Sequence, residues 1–318
     1  MRLSSLVFLP LAGLAGVAAA LWLAPVWRGF DAFRQLWPLW AVLALIALAA
    51  IVLIRHRTAP GPMAIIALLI WLPGLGEPVR RLTAERAAPS DTALTLRVAT
   101  QNMWVRNTAP DATAGTLLAL DADILTLQEA GANAQPARDR LEQAYPFVAR
   151  CRSTRILSRL EILESGCVLP PDPAVFRSAI PCDREVPPAS WARIRLPDGS
   201  DTLVASVHLT WPFPGATQDC QRGGLARFLG ALPAERMIVM GDFNAAAPSY
   251  ALSRLERDLG LDRRTLALPS FPSGRLVPEP VLGIDHIFAG EAWQTVSVET
   301  GPQTGSDHRP VVATLQLR

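Results

Sequence analysis

The side chains of this chain that can hold a hard cation or move a proton fall in short polar clusters, each directly after or before an apolar run. Gln101 and Asn102 follow Leu96–Thr100, Gln128 and Glu129 follow Ile124–Leu127, and His208 closes the run in SVHLTWP. Gly241-Asp242-Phe243-Asn244 follows the apolar MIVM, and Gly283-Ile284-Asp285-His286 and Gly305-Ser306-Asp307-His308-Arg309-Pro310 come later. Strand ends present side chains into clefts, so this repetition marks a site. Asn102, Glu129 and Asp307 offer only hard oxygen ligands, the donor set of Mg²⁺ or Mn²⁺ and not of zinc. In an extended segment Asp242 and Asn244 share one face. Asp242 is then placed to orient and deprotonate a water, and Asn244 to donate to a phosphoryl oxygen, the division of labour of phosphoryl transfer. His208 and His308 sit at strand ends beside acids, and Asp285 can orient His308 by accepting from one ring nitrogen. His286 points away from Asp285 in an extended segment and reads as structural.

The elements that must carry these residues begin near residue 93. Leu94–Ala99 and Ile124–Leu127 read as buried strands around a helical stretch through Gly115–Leu120. Ser190–Leu196 and Thr202–His208 form a hairpin about Asp198-Gly199. Gln221–Ala231 reads as a helix, Met237–Met240 as a fully buried strand and Pro248–Leu259 as a helix. Strands follow near Ile284–Phe288, Thr295–Glu299 and Val311–Leu317. Strands outnumber helices, which predicts an α+β sandwich of two packed sheets with outer helices; a doubly wound sheet needs a helix after nearly every strand.

The first quarter of the chain obeys a different rule. Residues 1–79 of the 318 carry seven charged side chains. Uncharged apolar runs over 3–27, 36–54 and 58–76 each approach the ~20 residues that a helix needs to cross a bilayer. The sequence therefore predicts three transmembrane helices, with Trp22 and Trp27 as interfacial anchors and His56 in a connecting loop. A cleaved signal peptide is the other reading of the first run. Residues 80–92, within the polar, arginine-rich stretch EPVRRLTAERAAPSDT, read as a tether to a catalytic domain over 93–318.

All 30 basic residues are arginine, and beyond residue 79 acids and bases nearly balance. That balance disfavours a role coating nucleic acid, whose affinity comes from neutralised phosphates, while leaving room for a local basic groove. Arg152, Arg155 and Arg159 read as solvated surface arginines, with phosphate binding as the alternative. Cys151, Cys167, Cys182 and Cys220 are even in number and lack the spacing of a zinc site. Two disulfides in an oxidising compartment are expected from them, against four buried thiols in a cytosolic domain. Three spans with an internal amino terminus put the domain outside the cytoplasm. The arginine counts flanking the runs lean the other way.

Taken together, QN at 101–102, LQE at 127–129, LSR at 157–159, HLTWP at 208–212, GDFN at 241–244, IDHIF at 284–288 and SDHRPV at 306–311 resemble the endonuclease/exonuclease/phosphatase superfamily, in its order, over about residues 94–318. The resemblance implies a four-layer α/β sandwich and Mg²⁺-dependent hydrolysis of phosphate esters. It implies that Asn102, Glu129 and Asp307 approach the metal, that Asp242 activates water, that Asn244 and His208 contact the scissile phosphate, and that His308 with Asp285 completes the site. Several nuclease members place a tyrosine beside the phosphate. Neither Tyr145 nor Tyr250 occupies a matching position, and the proline-rich segment 150–191, where members elaborate substrate loops, carries no transferable contacts.

The expectation is a multi-pass inner-membrane phosphoesterase with an extracytoplasmic catalytic domain, whose partners are the bilayer and a phosphorylated, lipid-linked substrate. An extracytoplasmic nuclease with the same site is the alternative, and a silent membrane receptor or scaffold is a third reading. The intact Glu129, Asp242, Asn244, Asp307 and His308 argue against that third one.

Overall fold

The computed structural model describes all residues except 1–2, 54–59, 91, 171–181, 183–184, 214, 234 and 275. Two compact units emerge: Met1–Thr83 with Ala246–Ser253, and Ala84–Ala245 with Arg254–Arg318.

The amino-terminal unit is helical: α1 (Leu3–Leu23), α2 (Asp31–Gln35), α3 (Trp37–Leu53), α4 (Pro60–Trp71) and α5 (Gly76–Thr83). Leu14, Ala18, Leu21, Ala44, Ile51, Met63, Ala67 and Ile70 form its core. Indole donors lock the helices together, Trp22 Nε1 to Leu69 O at 2.9 Å and Trp37 Nε1 to Ile70 O at 2.8 Å. No single helix among the described residues is long and apolar enough to cross a membrane, although the bent pair Pro60–Gly74 and Gly76–Thr83, with a 44° bend, passes that test together. The three spans expected from sequence therefore appear as shorter helices. Prolines explain the third: Pro60 and Pro62 open α4, and Pro73 disfavours helical geometry at the residue before it, so a 3-10 turn over Leu72–Gly74 separates α4 from α5. Part of the expected tether is thus helix α5, and His56 lies outside the described residues.

The second unit holds two six-stranded mixed sheets. The first contains β1 (Thr95–Asn102), β2 (Ile124–Gln128), β3 (Phe147–Cys151) and β4 (Thr154–Ser158), in the order β11-β12-β1-β2-β4-β3. The second contains β5 (Ile162–Cys167), β6 (Ala189–Arg195), β7 (Asp201–His208), β8 (Met237–Asp242), β9 (Asp262–Arg263) and β10 (Asp285–Ala289), in the order β5-β6-β7-β8-β10-β9. The remaining strands of the first sheet are β11 (Trp293–Thr300) and β12 (Val311–Leu317). The helices are α6 (Pro110–Ala119), α7 (Gln135–Ala144), α8 (Gly215–Gly230) and α9 (Tyr250–Leu259). Leu96, Val98 and Ile124 from the first sheet pack against Ile194, Val204, Ile238, Met240 and Ile287 from the second. On the outer face of the first sheet, Leu117 of α6 and Leu141 of α7 pack with Leu125 and Leu157. Phe228 of α8 meets Trp191 of β6. This is the expected α+β arrangement of packed sheets and helices.

Each sheet has one parallel pair at its centre, β1 with β2 and β7 with β8, joined through α6 and α8 respectively. Parallel pairing brings the carboxyl ends of these four strands to a common edge, where ligands bind in open sheets. The register completes the cluster: His208 pairs with Asp242 across β7 and β8, and Asp285 pairs with Asp242 across β10 and β8. Gly241 is required here, because at φ +148° a side chain would run into the Val207 carbonyl of β7.

Candidate functional site

Asp242 is the hub. Its carboxylate is buried and accepts the Asn244 N–H at 2.8 Å and Asn102 Nδ2 at 2.9 Å. His208 Nε2 stands 3.7 Å from Asp242 Oδ2 and 3.8 Å from Glu129 Oε1, and His308 Nε2 stands 3.9 Å from Asp242 Oδ2. Burial pushes the Asp242 carboxyl above its usual range; the neighbouring Asp285 adds to this, and His308, His208 and the Asn102 hydrogen bond oppose it. A carboxylate with a raised pKa is a better proton acceptor at neutral pH.

His308 donates through Nδ1 to Asp285 Oδ2 at 2.8 Å, and Ser270 Oγ donates to the same oxygen at 2.6 Å. Burial works against a charged imidazole, but Asp285, Asp242 and Asp307 outweigh it and lift His308 to about 10. His308 is therefore an imidazolium at neutral pH, a donor and not a base. Phe271 lies against its ring, centroids 4.8 Å apart. His286 has the opposite fate. Its nitrogens bond Thr265 Oγ1 at 2.9 Å and the Ala245 carbonyl at 2.8 Å, and burial drives its pKa down to about 3. It is a structural residue beneath the GDFN segment.

Asn102, Glu129 and Asp307 come to the same edge. Asn102 Nδ2 reaches Glu129 Oε1 at 3.2 Å, and Asn102 Oδ1 accepts the Trp104 N–H at 2.9 Å, so Asn102 aligns two carboxylates while one Oδ1 lone pair stays open. Glu129 adopts φ +52°, a left-handed conformation rare for this residue type and found where function over-determines the backbone. Its Oε2 accepts the Val105 N–H at 2.8 Å. Asp307 Oδ1 is buried without a hydrogen-bond partner. Burial and the charge of Glu129 raise the Asp307 pKa, against the pull of His308. Two electrostatically interacting carboxylates, one with an orphaned buried oxygen, are a donor set that fits a hard divalent cation. Asp242, Asp285 and His308 also place ligand atoms within 4.8 Å of one another, but their short Asp285–His308 hydrogen bond and cationic imidazole suit a proton-carrying relay.

Several supporting residues gave no signal in the sequence. Gln218 of α8, 3% exposed, donates through Nε2 to Thr210 O and Asn244 O, both at 2.9 Å, and so clamps the loops after β7 and β8. Gln221 Oε1 accepts the Thr210 N–H at 2.8 Å. Ser306 Oγ bonds the Asn102 carbonyl at 2.8 Å and accepts the His308 N–H at 3.1 Å. Other sequence candidates lie elsewhere. Arg155 is buried with Nη1 on the Arg152 and Thr154 carbonyls and Nε 3.8 Å from Glu142, and Arg159 pairs with Asp121 at 2.6 Å. Tyr145 is buried with its hydroxyl on the Ala122 carbonyl at 2.9 Å.

The cysteines are paired, Cys151 with Cys167 and Cys182 with Cys220. The first pair joins β3 of one sheet to β5 of the other.

Residues 99–308 match the Endonuclease/Exonuclease/phosphatase family. The chain belongs to that family. A search of curated proteins finds no match. Among solved structures, the family's protein from Bacteroides thetaiotaomicron is similar at 17% identity, with a TM-score of 0.57, over 71% of this chain and 99% of its own. TDP2 of D. rerio, complexed with a single-strand DNA product, gives 18% identity and a TM-score of 0.52 over 70% and 98%. Staphylococcus aureus beta toxin with bound magnesium ions gives 13% and 0.51 over 69% and 98%. At these identities the structural neighbours share the family's fold, and magnesium is bound by one of them.

Proposed function

We propose that this family member is a membrane-anchored, metal-dependent phosphoesterase that hydrolyses phosphate ester or pyrophosphate bonds of a lipid-linked substrate. The observation that carries the hydrolytic reading is the convergence of Asp242, Asn244, His208 and the Asp285–His308 pair on one sheet edge beside Glu129 and Asp307. Glu129, Asp307 and the open lone pair of Asn102 would hold Mg²⁺, or Mn²⁺ in its place. When bound, the cation supplies Lewis-acid neutralisation of charge developing on the phosphoryl group. Asp242 orients a water and takes its proton. His308, kept cationic by Asp285, donates to a phosphoryl oxygen, and His208 and Asn244, whose Nδ2 also bonds the Leu209 carbonyl at 2.8 Å, add further donors.

The membrane reading is supported by the outer surface of the amino-terminal unit. Val42, Leu45, Ile46, Val52 and Leu53 of α3 and Ile65 and Leu68 of α4 are each between 48% and 80% exposed. Helices apolar on both inner and outer faces suit lipid and not water. The two disulfides support an oxidising compartment, hence an extracytoplasmic catalytic domain. The similarity to TDP2 with a DNA product favours the second reading, a nuclease using the same site.

The test is phosphate release from a C55 prenyl pyrophosphate by the detergent-purified protein. Release with Mg²⁺ and none with EDTA supports the lipid reading. No release by protein that cleaves single-stranded DNA puts the nuclease first.

A further inference from the structure

Two loops at the catalytic edge hold large apolar side chains in solvent. Trp211 and Phe213, which follow His208, are 60% and 75% exposed. In the loop between Phe271 and Leu282, which a β-bridge closes at its base, Leu276 is 94% and Val281 55% exposed. Apolar side chains of this size are stabilised by leaving water, so a cluster of them in solvent marks a contact surface.

These residues are continuous with the reacting centre. Trp211 meets Phe271 edge-on at 6.0 Å between centroids, and Phe271 lies 4.8 Å from the His308 ring. The loop is held to the site by backbone, because the Ser273 N–H donates to the Asp307 carbonyl at 2.7 Å. An aromatic track thus runs from His308, where the phosphate sits in the proposed reaction, through Phe271 to Trp211, with the exposed Phe213 two residues further along the same loop.

The chemistry of this track selects its occupant. Residues 209–215 (LTWPFPG) contain no charged side chain, and the second loop contains two, Arg275 and Glu279, of which Glu279 is paired with Arg309 at 3.1 Å. A nucleic-acid strand needs cations along its phosphates. A wall built mostly of indole, phenyl and aliphatic groups, with no row of cations along it, instead matches a hydrocarbon chain whose phosphate end lies at His308. We propose that the Trp211–Phe213–Phe271 track, with Val281 and Leu276 at its rim, is the subsite for the hydrocarbon chain of a lipid phosphate. The proposal rests on the phosphoesterase reading and deepens it: specificity comes from the chain beside the phosphate as well as from the phosphate.

The test compares kcat/KM of the full-length protein in detergent, with Mg²⁺, on three probes: farnesyl pyrophosphate, isopentenyl pyrophosphate and thymidine 5′-(p-nitrophenyl phosphate). The proposal expects farnesyl pyrophosphate to exceed isopentenyl pyrophosphate by at least tenfold, through KM. In the Trp211→Ala/Phe213→Ala double variant that ratio falls at least fivefold, and Trp211→Phe retains most of it. Three results overturn the proposal. A farnesyl-to-isopentenyl ratio near one shows that the track reads no chain. A ratio unaltered in the double variant places chain recognition elsewhere. A selective loss on the thymidine ester assigns the track to base stacking. Absence of metal-dependent hydrolysis on every probe is a separate outcome, which removes the phosphoesterase reading and the proposal with it.

Discussion

Gln218→Met separates the clamp behind the site from the site itself. Methionine keeps the length and apolar stem of glutamine but removes both N–H donors, so no large cavity opens. The two bonds at 2.9 Å to Thr210 O and Asn244 O disappear, with a longer one at 3.3 Å to Phe243 O, leaving the part-buried Thr210 carbonyl and the buried Asn244 carbonyl without that donor. Each orphaned group costs about 1–3 kcal/mol, a total of about 2–6 kcal/mol against the ~5–15 kcal/mol by which a domain is stable. The variant therefore stays folded with a lower melting temperature. Gln221 still accepts the Thr210 N–H, so the β7 loop loosens without detaching. The looser element is the Asn244 backbone, which carries an N–H bound to Asp242 and sits at φ +46°. A displacement of about 1 Å in a reacting group costs roughly 10²-fold in rate, or about 2.7 kcal/mol. The assay is steady-state hydrolysis of bis-p-nitrophenyl phosphate with Mg²⁺, beside thermal unfolding. The expected result is kcat down about 10²-fold with KM changed far less. A destabilised variant with kcat within twofold of the parent refutes the positioning role, since Gln218 would then serve stability alone.

Three further expectations follow from the same geometry. In Asp285→Asn the carboxylate that holds His308 cationic is lost. Activity that in the parent persists until pH approaches about 10 should fail at lower pH, with kcat at neutral pH down about 10²-fold; an unchanged alkaline limb in a pH–rate profile contradicts this. His286 is buried neutral with its pKa near 3, so below about 6.5 the unfolded chain takes up a proton that the folded one refuses. Stability is therefore full above pH 6.5 and falls by about 1.4 kcal/mol per pH unit towards pH 3; His286→Asn should flatten melting temperature against pH in that window, and an unaltered slope excludes His286 as its source. Reducing the two disulfides, which span 16 and 38 residues, should cost about 3 and 4 kcal/mol on a loop-entropy basis. Thiol titration of exported protein should give no free thiol before reduction, and four reactive thiols before reduction would contradict the pairing.

What could be read in the sequence, and what could not, divides along a physical line. MIVM before GDFN and the apolar alternation before SVHLTWP sit where period-two or continuous burial dictates a strand; β7 ends at His208 as expected, and β8 runs two residues past MIVM to Asp242. The site residues were visible because each closes such a strand, as Asn102, His208 and Asp242 do, or opens or precedes one, as Asp285, Asp307 and His308 do. By contrast β4, fully buried, contains Thr154 and Ser158, whose hydroxyls bond Cys151 O, Ser190 Oγ and Leu160 O, and Arg155, whose Nη1 bonds two carbonyls. Tertiary partners overrode hydropathy there. Helix α8 begins at Gly215 and not at Gln221, because its first turns are polar, and Gln218 within them faces inward to serve carbonyls. Nothing local in QDCQRGG marks that role. In the amino-terminal quarter hydropathy located helices correctly, but prolines and not apolarity set where α4 begins and ends.

The most direct measurement is bis-p-nitrophenyl phosphate hydrolysis by parent and Asp242→Asn protein, each with Mg²⁺ and with EDTA. The account predicts that the parent loses activity in EDTA and regains it with Mg²⁺. It predicts that Asp242→Asn, folded to the same melting temperature within a few degrees, is slower by at least about 10³-fold in Mg²⁺. An Asp242→Asn protein as active as the parent, or a parent indifferent to EDTA, would contradict it.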